Sequence, residues 1–222
     1  PRLLIMLYTN LNYTLLGKFS TLEDVAYYDY SNKIVTVLLT LITSIGIVML
    51  PHISNLRNTN NEDRIIPLLE KILSIMIYFG TPIMFGVMAV SRIFVPWFLG
   101  EEFSYVGLLL TVLPLKMLPI IISNVTGIQY LIPYGKNKEF IKSSLFGAIT
   151  SIVLNIITIN VLGSLGAVIS IIISEFVVTI TQMFYIRKNF NVISVLSRMW
   201  RVFTASFIMF IVVYIDLFPR TD

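Results

Sequence analysis

Apolar residues run almost without interruption along this chain, and polar residues gather in short islands between them. Seven apolar runs stand out, at 3–16, 34–50, 72–95, 105–132, 143–161, 165–185 and 202–215. A hydrocarbon core of about 30 Å takes about 20 helical residues at about 1.5 Å each, and most of the runs approach or exceed that length. Strand-length segments alternating apolar and polar residues, as a membrane barrel requires, are absent, so the pattern predicts helices. The expected fold is all-α: a polytopic transmembrane helical bundle of about seven spans. The first run is short for a span and no initiator Met precedes Pro1, so the sequence is expected to be a piece of a longer or processed chain.

Two runs carry helix breakers in their interior. Gly80, Pro82 and Gly86 lie in YFGTPIMFG, and Pro114, Pro119 and Gly127 lie in 105–132. Proline removes a backbone hydrogen bond and kinks a helix, and transporters use broken helices near the bilayer midplane. Pro and Gly are also simply commoner in membrane helices than in soluble ones, so both readings stay open.

Composition agrees with the pattern. Of 222 residues 56% are hydrophobic and 13% charged, too few charges to cover a water-facing surface of this size. The placement of the charges says more than the net +4. The loops after the second, fourth and sixth runs hold Arg57, Arg64, Lys71, Lys136, Lys138, Lys142, Arg187, Lys188, Arg198 and Arg201, against Glu62, Asp63, Glu70 and Glu139. The other loops and the tail hold Lys18, Lys33 and Arg220, against Glu23, Asp24, Asp29, Glu101, Glu102, Asp216 and Asp222. Cytoplasmic loops carry the Lys and Arg excess, so the basic set is expected inside, with the first span running outward.

Three charges fall inside the runs. Each costs at least about 2.5 to 3.5 kcal/mol at a helix centre and asks for a partner or a wet cavity. Arg92, near the outer end of its span beside the belt aromatic Trp97, can snorkel to the interface. Lys116 and Glu175 lie deeper. Counted from the outer ends of their spans they are both roughly 16 to 18 Å in, close to the midplane. They are candidates for one interior cavity, as an ion pair or as separate binding groups, with a packing pair as the structural alternative.

Amides recur in the same membrane-length runs: Asn10 and Asn12 in LYTNLNYTLLG, Asn124 and Gln129 in SNVTGIQYLIPYG, Asn155, and Gln182. A single intramembrane amide usually holds helices together, contributing about 0.6 kcal/mol, but amides on several spans fit an aqueous cavity better than a solid bundle. Gly147, Ser151, Gly163, Ser164 and Ala167 supply the small-residue spacing for close helix packing. Cys is absent, which removes disulfides, thiolate metal sites and Cys nucleophiles. A phosphate-binding Gly loop, an HExxH helix, a GxSxG elbow and clustered metal ligands are all missing, and His52 stands alone at a span end.

The ordered blocks YTNLNYTLLGKFSTLEDVAYYDYSNKI, GIVMLPHISNLRN, RIFVPWFLGEEF, SNVTGIQYLIPYGKNKEF and LNIITINVLGSLGAVISIIISEFVVTITQ resemble the C-terminal half of bacterial polysaccharide flippases. These are the Wzx-type members of the multidrug/oligosaccharidyl-lipid/polysaccharide exporter superfamily. The resemblance runs over nearly the whole chain and implies two pseudo-symmetric bundles, about twelve to fourteen helices, around a cavity that opens alternately to either side. Residues 1–222 would form most of the C-terminal bundle, beginning in the seventh helix, with the N-terminal bundle, and at the higher count a last helix, outside this sequence.

By that resemblance the chain is no enzyme. It would belong to the bacterial cytoplasmic membrane and move undecaprenyl-pyrophosphate-linked oligosaccharide repeat units to the outer leaflet by alternating access, for capsule, exopolysaccharide or other cell-surface polysaccharide. Membrane lipids and the N-terminal bundle are the further partners, with no nucleic acid. No cofactor or metal is expected, and coupling to an H+ or Na+ gradient is left open. The substrate-binding or coupling candidates are Lys116, Glu175, Asn124, Gln129, Asn155 and Asn12. Glu175 in ISEFVVTI matches an acidic position of such sequences, and Gln129, Tyr130 and Pro133 match their QYLIP block. Asn12 departs from them, standing where relatives often carry an acid, with Tyr13 where a cation is common, which weakens ion coupling through the first span.

Two other classes remain as alternatives. An ion-coupled multidrug or small-molecule exporter of the same superfamily would suit an amphipathic cation, against which Lys116 and Arg92 argue weakly. A membrane glycosyltransferase or polymerase would need a large outer loop or an acidic metal motif, and Glu101–Glu102 reads as a solvated turn. A plain scaffold would have no need of Lys116 and Glu175 at mid-membrane depth.

Overall fold

The computed structural model describes the backbone of residues 2–59 and 61–217, and the side chains of 11–59 and 61–216. The tail charges Arg220 and Asp222 and the Asn10 side chain lie outside the described residues. Nine α-helices make up the described chain, with short 3-10 turns and one π-helical stretch and no strand. They are α1 (Arg2–Phe19), α2 (Leu22–Asn58), α3 (Ile65–Leu99), α4 (Ser104–Leu110), α5 (Met117–Ser123), α6 (Asn137–Leu162), α7 (Ser164–Ile186), α8 (Val192–Arg198) and α9 (Trp200–Leu217).

The seven apolar runs all lie on helical tracts, but fewer qualify as spans than the sequence suggests. Among the described residues five tracts are long and apolar enough to cross a membrane, or six if the bent pair α8–α9 counts as one. The helix that drops out is α1, whose 18 residues carry Arg2, Asn10, Asn12 and Lys18. The acidic segment before the second run, expected as an outer loop, is the beginning of α2. Thr21 caps it, accepting from Asp24 N at 3.2 Å, and Glu23 and Asp24 favour the positive end of its dipole. Its tyrosines then pack sideways, Tyr28 on Tyr13 and Tyr27 on Tyr105, with ring centroids 5.2 and 5.4 Å apart. At 37 residues α2 is roughly 55 Å long, more than a bilayer core needs.

The two breaker-containing runs behave differently. The helix α3 continues through Gly80, Pro82 and Gly86. Residues 101–131 instead form one helical span whose α-helical ladder is broken, hereafter the broken span: α4, a 3-10 turn over Leu113–Lys116, α5, then a π-helix over Asn124–Leu131. Pro114 sits in the 3-10 turn, where its missing N–H and fixed φ suit a tighter helix start. From α7 the Thr179 hydroxyl donates to Pro119 O of α5 at 2.7 Å.

Helices α6 and α7 form one antiparallel pair with α1 beside it, while α3 packs against α2, α4, α5 and α9. The broken span joins the two groups, α5 touching both α3 and α7. A hydrophobic core of α3 residues such as Leu69, Leu73, Met76 and Ile77 with Leu109, Leu110 and Leu113 fills the centre. Polarity is otherwise inverted relative to a protein in water. Asn12, Gln129, Asn155 and Gln182 are 0% exposed, whereas Val37, Val48, Val161 and Trp97 are 62% to 79% exposed. An apolar outer face over a partly polar interior is what a lipid surround permits.

Candidate functional site

The π-helix carries the polar stretch that stands out in the sequence. Its widened turn closes with i→i+5 bonds, Ile132 N to Gly127 O at 3.1 Å, and such segments concentrate at functional positions. The same spacing stacks two amides, Gln129 Nε2 donating to Asn124 Oδ1 at 2.9 Å. Gly46 of α2 makes room for this pair, because a Cβ there would run into both amide groups. Thr126 donates to Gln182 Oε1 on α7 at 2.8 Å, and Gln182 Nε2 donates to Ser143 on α6 at 3.3 Å.

In front of these amides lies a cavity of about 330 Å³ between α2, the broken span, α6 and α7. Lys116 and Glu175 both line it, together with Asn124 and Gln182. Lys116 enters from the 3-10 turn and donates to Asn32 Oδ1 of α2 across the cavity. Asn32 in turn donates to the Tyr13 hydroxyl at 2.8 Å, so the ammonium's partner is itself held in place. An ammonium kept 5% exposed beside an amide, a carboxylate and hydroxyls can bind an anion without exposing it to hydrocarbon.

Of the candidates read from the sequence, Lys116, Glu175 and Asn124 meet in this cavity. Gln129 stands behind it, fully buried, and reaches it through Asn124. Asn12 and Asn155 lie elsewhere, in a buried knot between α1 and α6. Asn155 and Ser151 both donate to Asn12 Oδ1, Ser151 at 2.9 Å, and Asn12 reaches the Tyr28 hydroxyl at 3.5 Å. These two amides hold helices together, and Tyr28 links Asn12 to the cavity wall.

The sequence reading missed Asn32, Thr36, Thr40 and Thr43, which form the α2 side of the cavity. Their spacing of four, four and three residues is one helical face, and that periodicity was the available signal. Hydropathy hides it, because single threonines barely lower the average of a membrane-length run.

Charged loops gather at two ends of the bundle. At one, Arg57 lies over the Tyr134 ring at 4.7 Å and Arg198 pairs with Glu70 at 2.7 Å. Burial pushes the Tyr134 phenol above its ordinary value, with Glu62 adding to the rise and Arg57 opposing it. At the other, Asp24 accepts from Ser164, and Tyr30 meets Phe103 at 5.0 Å.

A family model described as "Polysaccharide biosynthesis protein" matches residues 2–107. The protein named "Putative O-antigen transporter" of Escherichia coli (strain K12) is 26% identical over 186 residues, 83% of this chain and 44% of that protein. The chain resembles the lipid-linked polysaccharide flippases of the exporter superfamily. Its fold agrees: the solved structure "Lipid II flippase MurJ, inward closed conformation" superposes with a TM-score of 0.77 at 17% identity, over 98% of this chain and 46% of that one. The chain spans under half the length of both relatives. It is a multi-pass protein of the bacterial inner membrane.

Proposed function

We propose that this chain forms the C-terminal bundle of a flippase that moves undecaprenyl-pyrophosphate-linked oligosaccharides from the cytoplasmic to the outer leaflet by alternating access. A pyrophosphate and hydrated sugars cannot cross hydrocarbon unaided, because each charge or hydroxyl would lose its hydrogen bonds. The observation that carries the reading is the cavity in which Lys116 and Glu175 meet inside a bundle whose outer face is apolar. Lys116 is the group for the anionic head, the amides and hydroxyls serve the sugars, and the polyprenyl tail stays in lipid. Work is done by moving cargo, without covalent chemistry. Glu175 is the group through which an H+ or Na+ gradient would act, and the basic loops face the cytoplasm.

The test is deletion of the gene followed by analysis of lipid-linked oligosaccharides. Accumulation on the cytoplasmic leaflet is expected, and its absence would sink the reading. Complementation with Lys116→Gln is expected to lower flipping at least tenfold with normal protein levels, and Lys116→Arg to restore part of it. Full flipping and unchanged ion dependence in Glu175→Gln would remove the gradient from the mechanism.

A further inference from the structure

A second cavity, of about 510 Å³, opens on the outside of the bundle where α7 meets α8. Glu175, Val178 and Gln182 are the buried face of α7 and line the central cavity, whereas Ile180 and Phe184, both exposed, line the outer one. Its floor is already built. Phe190 and Val192 are buried there, and the N–H groups of Asn189 and Phe190 both donate to Ile186 O at 2.9 Å. The chain then turns, with α8 leaving the line of α9 by 55°. The cavity is graded from polar to apolar. Arg187 and Asn191 line one end, and Arg187 lies over the Phe184 ring at 4.1 Å. A guanidinium stacked on a ring keeps its in-plane N–H groups for an anion. Asn191 Oδ1 caps α8 by accepting from Ser194 N at 3.1 Å, so the part of this amide left for a ligand is its NH2 group. Ile180 lies roughly 10 Å back along α7 from Arg187, and with Met183 and Ile193 it lines the apolar remainder.

A soluble anion would fill the polar end of such a cavity and leave the rest bare, while a lipid with a phosphate head fills both. The surrounding charge then selects among lipids. Between residues 176 and 215 the chain holds Arg187, Lys188, Arg198 and Arg201 and no Asp or Glu, and Glu70, which approaches from α3, is engaged by Arg198 at 2.7 Å. A zwitterionic head would bring its own ammonium against this excess, and an anionic head would not. We propose that the α7–α8 elbow binds an anionic glycerophospholipid, with Arg187 and the Asn191 amide holding the phosphate and Ile180, Met183 and Ile193 taking an acyl chain. The site lies on a different surface from the central cavity, and its argument does not depend on the flippase reading.

The probes are phosphatidylglycerol and phosphatidylcholine with the same acyl chains, added to the full-length protein in detergent micelles and read by native mass spectrometry. One phosphatidylglycerol is expected to bind at least about tenfold more tightly than phosphatidylcholine. Arg187→Gln should weaken it at least about fivefold, and Arg187→Lys by less. Asn191→Asp keeps an oxygen to cap α8 but exchanges the NH2 for a second acceptor; it should weaken binding at least about threefold with an unchanged unfolding midpoint, which a capping role alone would not do. Lys138→Gln removes the same charge from a basic loop outside the cavity and should leave the affinity within about twofold. Equal affinity for the two lipids would overturn the proposal, and equal losses in Arg187→Gln and Lys138→Gln would reduce it to diffuse attraction. Displacement by inorganic phosphate would make this a site for a soluble anion. Tighter binding of undecaprenyl pyrophosphate that Arg187→Gln abolishes would give the site to the cargo, and a dimer lost in Arg187→Gln would give it to a second copy; each of these also overturns the proposal.

Discussion

The Asp24 carboxylate serves two helix N-termini at once. It sits in the first turn of α2, and its Oδ1 accepts from the backbone N–H and the hydroxyl of Ser164, at 3.1 and 2.6 Å, where α7 begins. Both dipoles place partial positive charge there, and an anion at a helix start is stabilising. Gly163 allows the approach: its φ of +55° suits glycine, and a Cβ would crowd the carboxylate at 2.8 to 3.1 Å. Replacing Asp24 with Ala is expected to cost about 1 to 2 kcal/mol, the range for losing a helix cap. Thermal unfolding in detergent would read this as a lowered midpoint. Lys33→Ala, which removes the exposed ammonium paired with Asp29, should shift the midpoint less.

At the scale of elements, the α6–α7 pair depends on absent side chains. Gly166 lies so close to α6 that a Cβ would enter the Thr158 carbonyl, and the Thr158 hydroxyl meets Gly166 O and Ser170 Oγ, each at 3.0 Å. Small residues that let backbones meet are the membrane counterpart of a packed core. Gly166→Ala must push the helices apart and is expected to destabilise by about 1 to 3 kcal/mol, the usual cost of overpacking. Gly86→Ala is the contrast. Its Cβ would only touch Met209 at 3.8 Å, so a gain of about 0.4 to 1 kcal/mol is expected from the stiffer unfolded chain. A proteolysis or melting series on the two variants separates them by sign. The broken span belongs to this scale as well: Pro82 and Pro114 look alike in sequence, yet α3 stays whole and 101–131 does not, because neighbouring packing decides whether freed backbone groups are satisfied.

For the whole molecule, the alternation of basic and acidic loops makes orientation directly testable. The chain contains no Cys, so a single cysteine at Lys138 and another at Glu102 report the two ends without background. An impermeant thiol reagent is expected to modify the second in intact cells and the first only after the membrane is opened. Modification at position 138 from outside would invert the topology and with it the assignment of leaflets. In this architecture the polar residues face inward on α2, the broken span, α6 and α7, while α6 offers Phe146, Ile149, Val153 and Ile157 outward at half exposure or more. Lipid takes the place that water has around a soluble domain.

By itself the sequence determined the class of solvent and the helical nature of the long apolar tracts, though not how many of them span, because the free energy of burying backbone in hydrocarbon leaves helices as the answer for runs of this length. Charge placement and hydropathy also picked out Lys116 and Glu175, since an ion at mid-span depth is expensive enough to be visible one residue at a time. Only tertiary structure decided which amides share a purpose. Asn12 and Asn155 are as polar as Asn124, yet they close on each other and on Ser151, while Asn124 faces the cavity. The threonine face of α2 is legible as a periodicity but not as a site: a hydroxyl that satisfies itself on its own helix costs little to bury, and becomes a cavity wall only by what stands opposite it.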